Sequence, residues 1–336
     1  MTELVIATRG SQLALWQAEH TRATLLARDP DLSVRLLVLK TQGDKILDRA
    51  LSEIGGKGLF TKEIEDALLE RRADIAVHSM KDVPAAGPEG LVIAAVPERA
   101  DPRDALLLGP RQQALLDGAT VPQGDGDGRA TALLRALPPG ARVGTSSLRR
   151  LCQVLALRPD LDVQPLRGNV DTRLRKLHAG EYDAVVLATA GLARLGLAQH
   201  IAARFAPDEM VPACGQGALA IQCRADDAAV RARLAALGDV RAAAAVEAER
   251  SFNQRLGGSC RTPIGAHATV EVGAESGDPS RGLHLVGLVG ASDGRTVLRG
   301  ALSGALDSPA AVGTALAEQL LAQGADRLLG LPTGPA

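Results

Sequence analysis

Residues 4–40 read LVIATRGSQLALWQAEHTRATLLARDPDLSVRLLVLK, and the order of their apolar positions decides the architecture. LVIA at 4–7 is a short continuous apolar run, Ser11 to about Arg28 carries apolar residues at helical spacing, and VRLLVLK at 34–40 reads as extended again. A glycine-rich loop at 54–58 then precedes a helical pattern from Leu59 to Arg72, and DIAVHS at 74–79 supplies another short strand. Strands separated by helices predict an α/β architecture with a mainly parallel sheet.

Further along, PAAGPEG at 84–90 and PERADPRD at 97–104 mark a loop and a hinge. A second α/β unit starts near Asp104, with strands around 141–143, 162–164 and 184–187, and PQGDGDGRA at 122–130 reads as a surface insertion. VPACGQGALAIQCR at 211–224 forms a glycine turn and an apolar strand. From about Val246 the pattern changes to a charged helix ending near Gln254, strands near 264–270, 284–289 and 296–302, and a helix from Ser308 to about Gln323. That stretch reads as a third domain, in keeping with 336 residues.

Between Gly144 and Arg175, six arginines (Arg149, Arg150, Arg158, Arg167, Arg173 and Arg175) face only Asp160, Asp162 and Asp171, within a chain of net charge −1. GTSSLRR at 144–150 and RGNVDTR at 167–173 both read as a loop running into a helix start, with Thr145, Ser146 or Ser147, and then Asn169 or Asp171, as N-cap. Guanidinium groups beside a helix N-terminus suit carboxylates or phosphates. A solvated basic face is the other reading.

Composition narrows the classes. With 46% hydrophobic and 23% charged residues the chain is an ordinary globular protein. It shows neither a basic leader before a long apolar core nor a bilayer-length apolar run, and it reads as cytoplasmic. Trp16, Tyr182, Phe60, Phe205 and Phe252 are its full aromatic set, too few for binding nucleic acid by stacking. Cys152, Cys214, Cys223 and Cys260 form no C-x-x-C pair and the six histidines form no H-E-x-x-H, so neither a disulfide framework nor a metal site is expected.

Three short segments carry possible chemistry. GGKG at 55–58 lacks the hydroxyl after its lysine that a nucleotide-binding P-loop needs, and a flexible turn is the simpler reading. Lys81 and Asp82 in HSMKDVP follow a strand directly, where open α/β sheets place ligands; they read either as a solvated pair or as a carboxylate that steadies a cationic intermediate. GGSCRTPIG at 257–265 puts Cys260 beside Arg261, as a nucleophile favoured by the cation or as a small apolar residue.

Taken together, IATRGSQLALWQA at 6–18, GGKGLFTKEIE at 55–65, ADIAVHSMKDVP at 73–84, DPRDALL at 101–107, GTSSLRR, LRGNVDTRLRKL at 166–177, YDAVVLATAGLARLGL at 182–197, ACGQGALAIQCR at 213–224, AER at 248–250 and LGGSCRTPIGAHA at 256–268 resemble the porphobilinogen deaminase (hydroxymethylbilane synthase) family almost end to end. The resemblance implies a first domain of residues 1–98 and 216–236, a second of 103–211, both like lobes of type II periplasmic binding proteins, and a third, small α/β domain of 240–336. It implies a monomeric transferase of tetrapyrrole and haem biosynthesis that condenses four porphobilinogen molecules into hydroxymethylbilane with loss of ammonia. A dipyrromethane cofactor would be joined to Cys260 by a thioether, and Asp82 would be the catalytic aspartate, its carboxylate steadying positive charge and assisting proton transfer. Arg9, Lys81, Arg149, Arg150, Arg167, Arg173 and Arg194 would hold the carboxylates of cofactor and substrate, with Ser11, Thr145, Ser146, Ser147 and Gly168 as donors and Lys57 and Phe60 as a lid. Glu53, where the family can carry a basic residue, bears on that lid. Two rival readings are a two-lobed anion-binding protein without chemistry and a cysteine-dependent hydrolase; neither needs both Asp82 and Cys260.

Overall fold

The computed structural model describes residues 3–45, 61–117, 128–259, 262–270 and 282–331. In chain order the first segment supplies β1 (Glu3–Arg9), α1 (Gln12–Arg28), β2 (Ser33–Leu39), α2 (Gln42–Lys45), α3 (Lys62–Leu69), β3 (Ile75–Ser79) and β4 (Leu91–Ala95). There follow β5 (Asp104–Leu108), α4 (Arg129–Ala136), β6 (Arg142–Gly144), α5 (Leu148–Leu157), β7 (Asp162–Gln164), α6 (Val170–His178), β8 (Ala184–Ala188), α7 (Thr189–Arg194) and β9 (Ala203–Arg204). The last third holds β10 (Leu219–Arg224), α8 (Ala228–Ala235), α9 (Val240–Arg255), β11 (Ile264–Val270), β12 (Leu283–Gly290), β13 (Val297–Gly304), α10 (Pro309–Ala322) and α11 (Ala325–Leu329).

The chain divides into two compact units, residues 1–100 with 217–243 and residues 101–216 with 244–336. The first is built on a sheet of order β2-β1-β3-β10-β4. Strands β2, β1 and β3 run parallel, and β10 is antiparallel to both of its neighbours. Apolar residues cover both faces: Leu4, Ile6, Ala18, Leu25 and Ile221 on one, Val5, Ala7, Ile64 and Leu68 on the other. The near-continuous apolar runs in the sequence are therefore strands buried on two sides.

The second unit contains a sheet of order β7-β6-β8-β5-β9, again with three parallel strands and an antiparallel fourth. The two five-stranded sheets share one topology: β1 matches β6, β3 matches β8, and β10 matches β5. In each sheet the fourth strand is the first one formed after the chain passes from the other unit. The same unit carries the antiparallel β11-β12-β13 sheet, backed by α9 and α10 around Phe252, Leu285 and Leu316. The expected mixed α/β class is thus what is found, with one antiparallel strand in each mainly parallel sheet.

Two details differ from the sequence reading. Helix α9 starts at Val240, not near Val246, because the alanine run at 242–245 has high helix propensity but no charge pattern to announce it. Strand β5 begins within what reads as hinge sequence: its five residues are all buried, including Asp104 at its head. Most of the insertion at 122–130 falls outside the described residues.

Candidate active site

In the first unit, β1 and β3 are parallel neighbours, with Ile6 opposite Ile75. Parallel pairing brings their carboxyl ends to one edge, so Arg9 closes β1 where Ser79 closes β3. Lys81 and Asp82 lie in the single 3₁₀ turn that follows, both half-buried. Ser11 is the N-cap of α1, its side chain accepting the Ala14 N–H at 3.3 Å. Arg9, Ser11, Gln17, Thr61, His78, Ser79 and Asp82 surround a polar hollow of about 60 Å³. Three of the expected residues are therefore brought together there.

Four polar groups of this hollow are absent from the sequence reading. Gln17, almost fully buried on α1, donates to the Ser79 hydroxyl at 2.8 Å. His78 is buried, and its Nε2–H donates to Gln222 Oε1 on β10 at 3.1 Å, the amide oxygen being able only to accept. Gln222 donates in turn to Glu65 at 3.4 Å, and the Thr61 hydroxyl donates to the same carboxylate at 3.2 Å. Burial, opposed by the Gln222 hydrogen bond and reinforced by Arg9, lowers the His78 pKa to about 4, so its ring is neutral at pH 7. Only the strand-end position of His78 in HSMKDVP hinted at this; the Gln17–Ser79, His78–Gln222 and Gln222–Glu65 pairs are 62, 144 and 157 residues apart in sequence.

The second unit repeats the plan with arginines. GTSSLRR follows β6, LRGNVDTR follows β7 and TAGLAR follows β8, so all three emerge from the carboxyl ends of adjacent parallel strands. This is the edge at which open α/β sheets bind ligands. Ser147 is the N-cap position of α5 but makes no side-chain cap bond; Thr145 Oγ1 accepts the Ser147 N–H at 3.2 Å instead. The Ser146 hydroxyl donates to the Leu166 carbonyl at 2.8 Å, tying the first loop to the second. Asn169 caps α6 by accepting the Thr172 N–H at 3.0 Å, and Arg173 Nε reaches back to the Gly168 carbonyl at 2.8 Å. Gly168 has φ +104°, and a Cβ there would meet the Thr172 side chain at 2.7 Å. Arg194 ends α7, where burial lowers its pKa to about 10.

Arg149 and Arg150 are the least exposed of the group, and both turn to Asp104. Arg149 Nη1 donates to one carboxylate oxygen at 2.6 Å, and Arg150 Nε and Nη2 donate to the other at 2.9 and 2.7 Å. Burial raises the Asp104 pKa, but the two guanidinium groups outweigh it and hold the carboxyl well below its ordinary range. The arginine excess at 144–175 is thus smaller than it looks. Its counter-charge sits 45 residues upstream of Arg149, and Arg158 is matched by Asp160 and by carbonyls near the end of α4. A signal for Asp104 did exist: a charged residue heading a wholly apolar strand has to be paired when buried. Arg149 Nε, in contrast, is buried and makes no hydrogen bond among the described residues.

Cys260, Lys57 and Phe60 lie outside the described residues. On either side of Cys260 and Arg261, Ser259 and Thr262 are clasped together: Thr262 Oγ1 accepts the Ser259 N–H at 2.9 Å and donates to the Ser259 carbonyl at 2.8 Å.

Comparison with known proteins matches the chain to one family. The model described as porphobilinogen deaminase, dipyromethane cofactor binding domain, matches residues 4–232, and that of the porphobilinogen deaminase C-terminal domain matches residues 243–322. Porphobilinogen deaminase of Bordetella parapertussis is 51% identical over 335 residues, 99% of this chain and 98% of that protein. Those of Chromobacterium violaceum and Roseiflexus castenholzii are 49% and 50% identical, each covering at least 97% of both chains. Among solved structures, the periplasmic aliphatic sulphonate binding protein SsuA of Escherichia coli aligns with 76% of this chain and 74% of its own at 12% identity and a TM-score of 0.38.

Proposed function

The chain belongs to the porphobilinogen deaminase family, and from that premise we propose how its residues join four porphobilinogen molecules head to tail into hydroxymethylbilane with loss of ammonia. The observation that carries the reading is identity of about half the residues along nearly the whole chain. In class the reaction is a transfer, each step moving a pyrrolylmethyl group onto a pyrrole α-carbon.

Asp82 is the proposed catalytic residue. Expulsion of ammonia from porphobilinogen is driven by the pyrrole nitrogen, which becomes positive as the C–N bond breaks; a carboxylate beside it stabilises that charge. When the new C–C bond has formed, the displaced α-proton must leave, and the same carboxylate can pass it on. Arg9 and Lys81, with the Ser11 hydroxyl, would hold the substrate's acetate and propionate. Neutral His78 adds no competing charge to the hollow.

The residues of the second unit fit a dipyrromethane cofactor. Its carboxylates need fixed cations and N–H donors, and the chain offers two helix starts and a buried Arg149 Nε that meets no acceptor among the described residues. Joined to Cys260 by a thioether, the cofactor would supply the pyrrole α-carbon on which the product chain is built, and hydrolysis by one water would release the finished tetrapyrrole as hydroxymethylbilane. Arg149, Arg150, Arg167, Arg173 and Arg194, with Thr145, Ser146, Ser147 and the Gly168 backbone, would hold it and the growing polyanion. Lys57 and Phe60 are the proposed lid. The domain division is read as three, with the third carrying Cys260, and the working form as a cytoplasmic monomer with no nucleic-acid or membrane partner. No helix among the described residues is long and apolar enough to cross a membrane.

Intact mass of the purified chain beside its Cys260→Ser variant tests this. A mass increment of two linked pyrroles in the wild type alone is expected. Bare masses for both, persisting after incubation with porphobilinogen, would overturn the cofactor assignment; sedimentation tests the monomer.

A further inference from the structure

Asp104 has no part in the roles assigned above, yet helix α5 and the segment that carries Gln216 converge on it. It heads β5 with no exposed surface. It receives Arg149 and Arg150 from the first turn of α5, and Gln216 Nε2 donates to it at 3.0 Å while also donating to the Pro102 carbonyl at 2.7 Å. The carbonyl of Val211 takes a second bond from Arg149 Nη1 at 2.7 Å, and that of Val186 on β8 takes Arg150 Nη1 at 3.0 Å.

The two arginines are used differently. All three nitrogens of Arg150 are engaged inside the protein, two by Asp104 and one by Val186. Among the described residues, Arg149 is held at Nη1 alone by two protein acceptors, and its buried Nε is left without one. A guanidinium is planar, so fixing one terminal nitrogen between two acceptors sets the plane and the direction of the remaining N–H groups. We propose that Asp104, braced by Gln216, is the positioning residue of the arginine site: it takes Arg150 as its own counter-ion and aligns Arg149 so that the unmatched edge of that guanidinium meets a ligand carboxylate. The proposal rests on the cofactor reading given above. A helix start by itself leaves a long side chain free among its rotamers; the carboxylate removes that freedom before the ligand arrives, which is what pre-organised recognition requires. Like charges on adjacent residues would also separate if the carboxylate between them were lost.

Four full-length chains decide it: wild type, Asp104→Asn, Asp104→Glu, and Leu133→Ala, a core change in the same unit whose apolar side chain makes no hydrogen bond to these groups. Each is assayed by intact mass for the fraction carrying the dipyrromethane increment, by thermal melting, and by kcat and KM for porphobilinogen. Asp104→Asn and Asp104→Glu should both purify largely without the increment, and the loaded fraction should show kcat lowered on the order of a hundredfold, the cost of a small misplacement. Leu133→Ala should melt early but load and turn over like wild type. Asp104→Glu keeps the charge and moves it by one methylene, so it decides the matter even where Asp104→Asn does not fold. Wild-type loading and turnover in Asp104→Glu would overturn the proposal, as would a loss of loading in Leu133→Ala that tracks its melting temperature. A wild type that never acquires the increment would instead sink the cofactor reading, and the proposal with it.

Discussion

Asp82 and His78 stand at the end of one strand, four positions apart, and the environment gives them opposite duties. Asp82 is half-buried beside Lys81 and reaches the hollow; its replacement by Asn should leave the covalent increment and the melting temperature unchanged. Turnover should fall by roughly 10²- to 10⁴-fold, the usual worth of a positioned acid–base group, and single-turnover kinetics would show it; normal turnover would remove Asp82 from the mechanism. His78 is buried neutral, and the sign of its effect on stability follows. Its folded pKa of about 4 lies below the ordinary 6.5, so between those values the unfolded chain holds a proton that the folded chain does not. Stability therefore falls on acidification through that window, by about 2 kcal/mol between pH 7 and pH 5. Urea melts at the two pH values should show this loss, and His78→Gln should flatten the slope. Asp104 acts lower on the scale: its depressed pKa stabilises the fold above the ordinary carboxylate range and is lost only as pH falls below it.

Helix α6 shows how an element start is built and how it fails. Gly168 takes a left-handed conformation that side chains rarely adopt, and its neighbour Asn169 supplies the cap. Gly168→Ala combines an unfavourable φ with a clash at Thr172 and should cost roughly 1–3 kcal/mol; Asn169→Ala loses only the cap, about 1 kcal/mol. Chemical denaturation of the two variants should rank them in that order, and equal losses would assign the glycine no steric role. In the third sheet's helical layer, Gly313 of α10 lies so close to the Ala248 carbonyl of α9 that a methyl group has no room. Elements of this kind were largely legible. The strand and helix periods, the loops at 144–150 and 167–173 and a cap at Asn169 or Asp171 could be read because each is a local matter of spacing and capping; the structure gives the cap to Asn169. The length of α9 could not, since its first turns are alanines that fit any buried or exposed face, and β5 was hidden behind the prolines that precede it.

At the scale of the molecule, the chain is nearly neutral while its expected ligand is a polyanion. Binding then depends on local guanidinium groups and not on a long-range field, so the KM for porphobilinogen should rise several-fold from low salt to about 0.5 M as screening shortens to about a turn of helix, with kcat little changed. The buried pairs at Asp104 are shielded from that salt, and the melting temperature should hardly move; a KM indifferent to salt would mean that these cations do not meet the substrate's carboxylates. The α/β class was within reach of sequence, because it follows from the alternation of apolar runs. The Asp104 cluster and the His78–Gln222–Glu65 chain were not, because their members are far apart in sequence and meet only in the folded sheet, the second of them only after the chain has left the first unit and returned. That return also dictates a timetable. Strand β10, which lies between β3 and β4, is made from residues 219–224, so on the ribosome the first hundred residues wait with a gap in their sheet. Meanwhile the β7-β6-β8-β5-β9 sheet, all of whose strands are complete by Arg204, is free to close. The amino-terminal unit begins first and finishes its sheet second, and a nascent chain stalled before residue 219 would present β3 and β4 as unpaired edges to whatever chaperone stands nearest.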